Sequence, residues 1–216
     1  MRLKLNSTTS ERLFADKPTF VIDDSYVWKD RLRRERASLK AKMRRAQTNE
    51  DLLETAFVGV EVFVFLVGYV TRKLIEAKKI SDELEAASMG VDSFPRQEPD
   101  YKLDYLNAHH IDRAYNLQQP QKKRLRVGQL CNLIIHSFVF MPSTDDDGKT
   151  CVGFFVNSDR TKETELLFID WDDFNVLVDE VISDDIVSSQ FDRRADSLTK
   201  SRVGPGDPQP VIRLNV

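Results

Sequence analysis

The sequence is poor in the features that announce a function. It holds two cysteines, Cys131 and Cys151, in 216 residues. That is too few for a disulfide scaffold or a four-thiolate zinc site, so both are expected to be buried thiols of a reducing compartment. No glycine-rich phosphate loop and no serine in a nucleophile-elbow pattern is present, which disfavours nucleotide-dependent and hydrolase chemistry. The formal charge of -3 with a pI near 5.7 gives no global attraction to nucleic acid or acidic membranes, so such a partner has to be met by a local patch. The segment Met1-Arg2-Leu3-Lys4-Leu5 lacks the apolar stretch of a secretion signal, and the expectation is a cytoplasmic protein. Only Ala56–Val70 approaches a membrane segment. It is shorter than the roughly 20 residues needed to cross a bilayer, and it carries Glu61, so a core helix and no membrane partner are expected. There is no internal repeat.

What is present is an ordinary globular composition, 41% apolar and 31% charged, in a chain long enough to bury its own core. Residues 1–25 read as an N-terminal arm, with one short strand around Thr19–Ile22 after Pro18. The cluster Asp23-Asp24-Ser25 then caps a helix over Tyr26–Ala46, whose Trp28, Leu32, Leu39 and Met43 recur at helical spacing. Gln47-Thr48-Asn49 breaks the pattern, and Thr48 with Asp51 resembles a capping box. A second helix follows over Leu52–Ile80. It is apolar almost all round between Phe57 and Val70, so it is expected to be a central helix or an oligomer interface. A strand competes for this stretch, because Val58, Val60, Val62 and Val64 alternate. The helix is preferred because no turn signal divides the run and Thr71–Ala77 continues it with good helix formers.

Ser81–Ala87 reads as a helical turn or two, and Met89–Asp100, with Gly90, Pro95 and Pro99, as a loop. Tyr101–Leu117 is ambiguous. A third helix is expected over Lys122–Ser137. Phe138–Phe140, Val152–Asn157 and Glu165–Ile169 then form an antiparallel meander around the Asp145–Gly148 turn. Asp170 or Asp172 caps a closing helix through Val181. The fold class is therefore α+β: a long helical hairpin plus a third core helix, a small antiparallel β meander and a closing helix. It forms one domain over 26–190, helical to 137, with a flexible tail over 191–216.

Three groups of residues carry candidate chemistry. Asn132 and His136 lie one helical turn apart on one face, where the amide can orient the imidazole. The competing reading is a core histidine satisfied by Asn132 or a backbone carbonyl. The first helix is densely basic, with Arg33, Arg34, Arg36, Lys40, Arg44 and Arg45 as nucleic-acid-binding candidates. Its bland alternative is a solvated face paired with acids elsewhere in the chain. No aromatic residue is interleaved on that face, so a base-stacking platform is not expected. His109-His110 with Asp104 and Asp112 has no partner ligand at a conventional spacing, and Asp145-Asp146-Asp147-Gly148 lacks the downstream Glu of a calcium loop and reads as a turn. Asp170, Asp172 and Asp173 could hold a metal at a strand end but stand where a strand-to-helix junction already wants acidic caps. No metal site and no cofactor is expected.

A helical hairpin followed by a helix bearing Asn132-x-x-x-His136 resembles the HEPN superfamily over residues 26–137. These are helical proteins that often dimerise and whose active members are RNA-cleaving toxins or defence factors. The family pattern sets an Arg a few residues before the His, often with Asn directly after the Arg. Here Cys131 occupies the Arg position and Arg126 lies too early. The resemblance implies a homodimer and, in an active member, metal-independent endoribonuclease chemistry. His136 would then serve proton transfer, Asn132 orientation, and Arg126 or Arg72 the phosphate. The departure at Cys131 turns the leading expectation to a non-catalytic binding or assembly protein on a HEPN-like core, with RNA or a protein as partner. The RNA-directed endoribonuclease is the alternative.

Overall fold

The computed structural model describes residues 24–98, 100–202 and 214. The N-terminal arm and its short strand lie outside the described residues, except for Asp24 and Ser25. Helix α1 (Ser25–Thr48) opens on Asp24, whose carboxylate accepts the Tyr26 amide at 2.9 Å. The next cap is Asn49 rather than Thr48. The Asn49 side chain accepts from the Asp51 amide at 3.1 Å, whereas the Thr48 hydroxyl turns back to donate to the Arg45 carbonyl. After a 3-10 turn over Glu50–Leu52, helix α2 (Leu53–Glu76) runs unbroken. The alternating valines are thus helical: Val60 and Val64 face the core, and Val58 and Val62 face out. Lys78, with φ of 57°, closes the helix in the left-handed region without a glycine. The five-residue helix α3 (Asp82–Ala86) follows, capped by Ser81.

A strand, β1 (Ser88–Pro95), replaces the expected loop over Met89–Asp100. Met89 and Val91 point to the helices and Phe94 to the opposite face, the period-2 alternation of a strand. Pro95 is tolerated because it is the last residue of the strand. A short helix, α4 (Ile111–Ala114), lies within the ambiguous region. The expected helix over Lys122–Ser137 is two elements: strand β2 (Gln121–Arg126) and helix α5 (Val127–Ile135). β2 pairs antiparallel with β1, and its Lys122 meets Asp92 across the ladder at 2.7 Å. Strands β3 (Ser137–Thr144), β4 (Cys151–Ser158) and β5 (Glu165–Asp170) form the expected meander. The sheet is larger than expected, with five strands in the order β2-β1-β5-β4-β3. Helix α6 (Trp171–Ser183) is capped by Asp170, which accepts from the Asp172 and Asp173 amides.

Helices α1, α2, α5 and α6 lie over one sheet face, and the main core draws on these helices and the sheet together. A second cluster on the opposite face gathers Leu103, Ile111, Ala114 and Tyr115 over Phe94 and Leu166. The expected tail is, as far as Ser201, a hairpin of β6 (Ser188–Asp192) and β7 (Ser197–Ser201). Lys200 explains why it packs. Its ammonium is buried and bonded to the Ile80 carbonyl, Asp82 and Glu85.

Candidate functional site

Helix α5 is amphipathic. Val127, Leu130, Cys131, Leu133 and Ile134 are buried in the core, whereas Gln129, Asn132 and His136 are exposed. His136 ends the helix, its amide donating to the Asn132 carbonyl at 3.0 Å. It is therefore not the core histidine of the bland reading, and among the described residues no side-chain hydrogen bond ties it to Asn132. Both side chains open into a cleft of about 740 Å3 that Lys123, Arg124, Arg160 and Glu165 also line. Sheet pairing brings the basic residues there, Lys123 and Arg124 from β2 and Arg160 from the β4–β5 turn. Lys123 is paired with Glu165, and Arg124 bonds Ser88. Arg160 has no carboxylate partner among the described residues.

The two arginines of the nuclease reading, Arg126 and Arg72, do not line this cleft. Arg126 stands at the start of α5, where its amide donates to the Gln129 side chain at 3.0 Å. Arg72 pairs with Glu76 on α2 at 2.8 Å, on the Cys131 side of α5. Burial pushes the Cys131 thiol up to about 12, opposed in part by the Arg72 charge, and the Cys151 thiol up to about 11. Both are protonated, unreactive thiols at neutral pH. No group of three or more His, Cys, Asp or Glu is placed to hold a metal among the described residues.

No protein-family model, no curated protein and no solved structure matches the chain.

The basic face of α1 divides in two. Arg33 and Arg34 converge on Asp30 at 3.4 and 3.0 Å, and Arg36 reaches Asp179 of α6 at 2.6 Å. Lys40, Lys42, Arg44 and Arg45 have no carboxylate partner among the described residues. Arg36, Lys40 and Arg44 edge a groove of about 310 Å3 against β4 and α6, and Trp171 lies in it. The aromatic side chain missing from the basic helix is thus supplied from the other end of the chain, where no local signal points to it.

Helix α2 carries the third surface. α1 and α5 cover two of its faces. On the remaining face Val58 is 53% exposed, Val62 58% and Tyr69 47%, with Phe65 half-buried between them. Residues 58, 62, 65 and 69 alternate four- and three-residue steps, the seam by which one helix packs against another.

Proposed function

We propose that the protein is a non-catalytic assembly protein of the cytoplasm, in which two copies pair antiparallel along α2 and offer their basic α1 helices to a partner. The exposed seam of Val58, Val62, Phe65 and Tyr69 carries this reading. An antiparallel two-fold sets Val62 against Phe65 and Val58 against Tyr69 of the second copy. It also brings Glu54 to the level and side of the second copy's Arg72, because the two positions lie about five full turns apart on one line of the helix. A parallel pairing would set like charges together instead. Glu50–Glu76 is long and apolar enough to cross a membrane by length and composition alone, but Val60, Phe63, Val64 and Val67 are buried in the protein's own core.

Full burial of an apolar side chain stabilises by about 1.5–3 kcal/mol. Four half-covered side chains from each copy give a gross gain of about 6–12 kcal/mol, against an association cost of at least about 4 kcal/mol. The expected dissociation constant is therefore no tighter than about micromolar. Sedimentation velocity over a concentration series tests this. Val62→Asp should leave only monomer at concentrations where the parent dimerises. Glu54→Arg and Arg72→Glu should each weaken the dimer, and the double variant should restore it. A parent chain that stays monomeric at high concentration refutes the assembly.

A second reading has one observation in its favour: Asn132, His136 and Arg160 line the same cleft. Under the endoribonuclease reading, an end-labelled RNA pool is cut by the parent and left intact by folded His136→Ala and Arg160→Ala variants. An uncut pool removes it.

A further inference from the structure

The groove between α1 and α6 is distinct from both the α2 seam and the His136 cleft. At about 310 Å3 it stands at the lower end of the roughly 300–1,000 Å3 typical of small-ligand sites, room for one nucleotide-sized group. Its apolar lining comes from three elements: Leu39 and Met43 of α1, Cys151 of β4 and Trp171 of α6. Its cationic edge comes from one. Arg36, Lys40 and Arg44 recur every four residues, so at about 1.5 Å per residue they form a row roughly 12 Å long on one helix face.

Among the described residues no carboxylate lines the groove, and the one acid attached to the row is Asp179 on Arg36, itself largely exposed. Trp171 is held from behind. Its ring stacks on Phe174 at 5.8 Å and meets Phe63 edge-on at 6.5 Å, while the part left uncovered by the core lines the groove. A fixed indole beside a row of cations is the combination that holds a base by stacking while neutralising the backbone next to it.

From this we propose that the α1–α6 groove binds single-stranded nucleic acid, with one base stacked on Trp171 and successive phosphates along Arg36, Lys40 and Arg44. A lone phosphate makes no use of a row this long, and a duplex keeps its base faces stacked away from the indole. The inference goes beyond assembly along α2 and does not depend on it, since a monomer retains the whole groove.

The test is fluorescence anisotropy of a labelled oligouridine of about a dozen nucleotides, within the range of known single-strand sites, titrated with the full chain over a salt series. Neutralisation of three phosphates predicts a log–log salt slope of about -2. Lys40→Glu with Arg44→Glu, both on the helix surface, should weaken binding more than tenfold and flatten that slope. Trp171→Leu should weaken binding by about 5- to 150-fold without changing the slope. Because Trp171 also packs on Phe174, the surface double variant, checked by circular dichroism and a thermal melt, decides the matter should Trp171→Leu fail to fold. Absence of binding at low salt, unchanged affinity in the double variant, or equal affinity for a duplex overturns the proposal. Uridine monophosphate competing as well as the oligomer, nucleotide for nucleotide, assigns the groove to a free nucleotide and overturns the strand.

Discussion

Replacement of Tyr115 by Phe removes one oxygen from the middle of a buried polar chain. Tyr115 is fully buried; its hydroxyl donates to the Lys162 carbonyl at 2.6 Å and accepts from the Asn157 amide at 2.6 Å. Asn157, equally buried, accepts the Val139 amide at 3.1 Å. These bonds pin the segment before β2 onto the outer face of the sheet. Tyr115→Phe leaves one buried donor and one buried acceptor without their partner, at a cost of about 1–3 kcal/mol. The phenol adds a pH signature. Burial raises its pKa from 10.0 to about 12, against the opposing Arg96 charge. A folded-state value above the unfolded one means that the native state favours the protonated phenol. That stabilisation is complete below about pH 10 and is lost as pH rises from 10 through 12, by up to about 1.4 kcal/mol per unit. Urea unfolding of parent and variant at matched pH values isolates the effect, because the other tyrosines cancel in the difference. The variant should be weaker at neutral pH, and the gap should close above pH 10. A gap that does not change with pH, or no gap at all, refutes the assignment.

Substitutions at two further positions probe the close contacts and the buried charges. A Cβ added at Gly153 would stand 2.3 Å from the Phe168 ring and 2.5 Å from the Ile169 carbonyl oxygen, so Gly153→Ala should destabilise by about 3 kcal/mol or more, read as a fall in the urea midpoint. Asp184 is fully buried, accepts from the Ser81 amide at 2.8 Å and from its hydroxyl, and faces Arg202 at 3.6 Å. Asp184→Ala strips those donors of their acceptor and should cost about 3–5 kcal/mol, with Asp184→Asn falling between it and the parent in the same assay.

The long helices were legible because each keeps an apolar period that no proline or turn cluster divides, and β4 and β5 because each is a short apolar run bounded by turn residues. β1 was hidden by Gly90 and Pro95, which read as loop residues unless the neighbouring strands are known. β2 was hidden by its composition: in Gln-Lys-Lys-Arg-Leu-Arg only Leu125 is buried, so it has no pattern to show, and as an edge strand it takes its place from pairing with β1. The β6–β7 hairpin escaped for a related reason. Its anchor is Lys200, a residue type that reads as solvent-facing until Ile80, Asp82 and Glu85 are placed around it. At the candidate site the one-turn pair Asn132 and His136 was visible locally. Lys123, Arg124, Arg160 and Trp171 reach their clefts only through long-range pairing, which no short window contains.

The elements that bring Trp171 to the basic helix also fix the distance between them. Near its start, α1 is tied to the end of α6 by Lys29, buried, whose ammonium bonds the Asp184 carbonyl and lies 3.7 Å from the Asp185 carboxylate. Two turns further on, Arg36 holds Asp179. Burial lowers the Lys29 pKa, and the Asp184 and Asp185 charges oppose that fall. Lys40 and Arg44 extend one and two turns beyond the last of these ties, and Trp171 sits at the opposite end of α6 from the first. Helices α1 and α6 are therefore set relative to each other by contacts that involve neither Lys40, Arg44 nor Trp171, and the Phe63 and Phe174 rings hold the indole in place on α6. A ligand meets the helix backbones and the indole already in place, and the ordering that remains is that of the exposed Lys40 and Arg44 side chains.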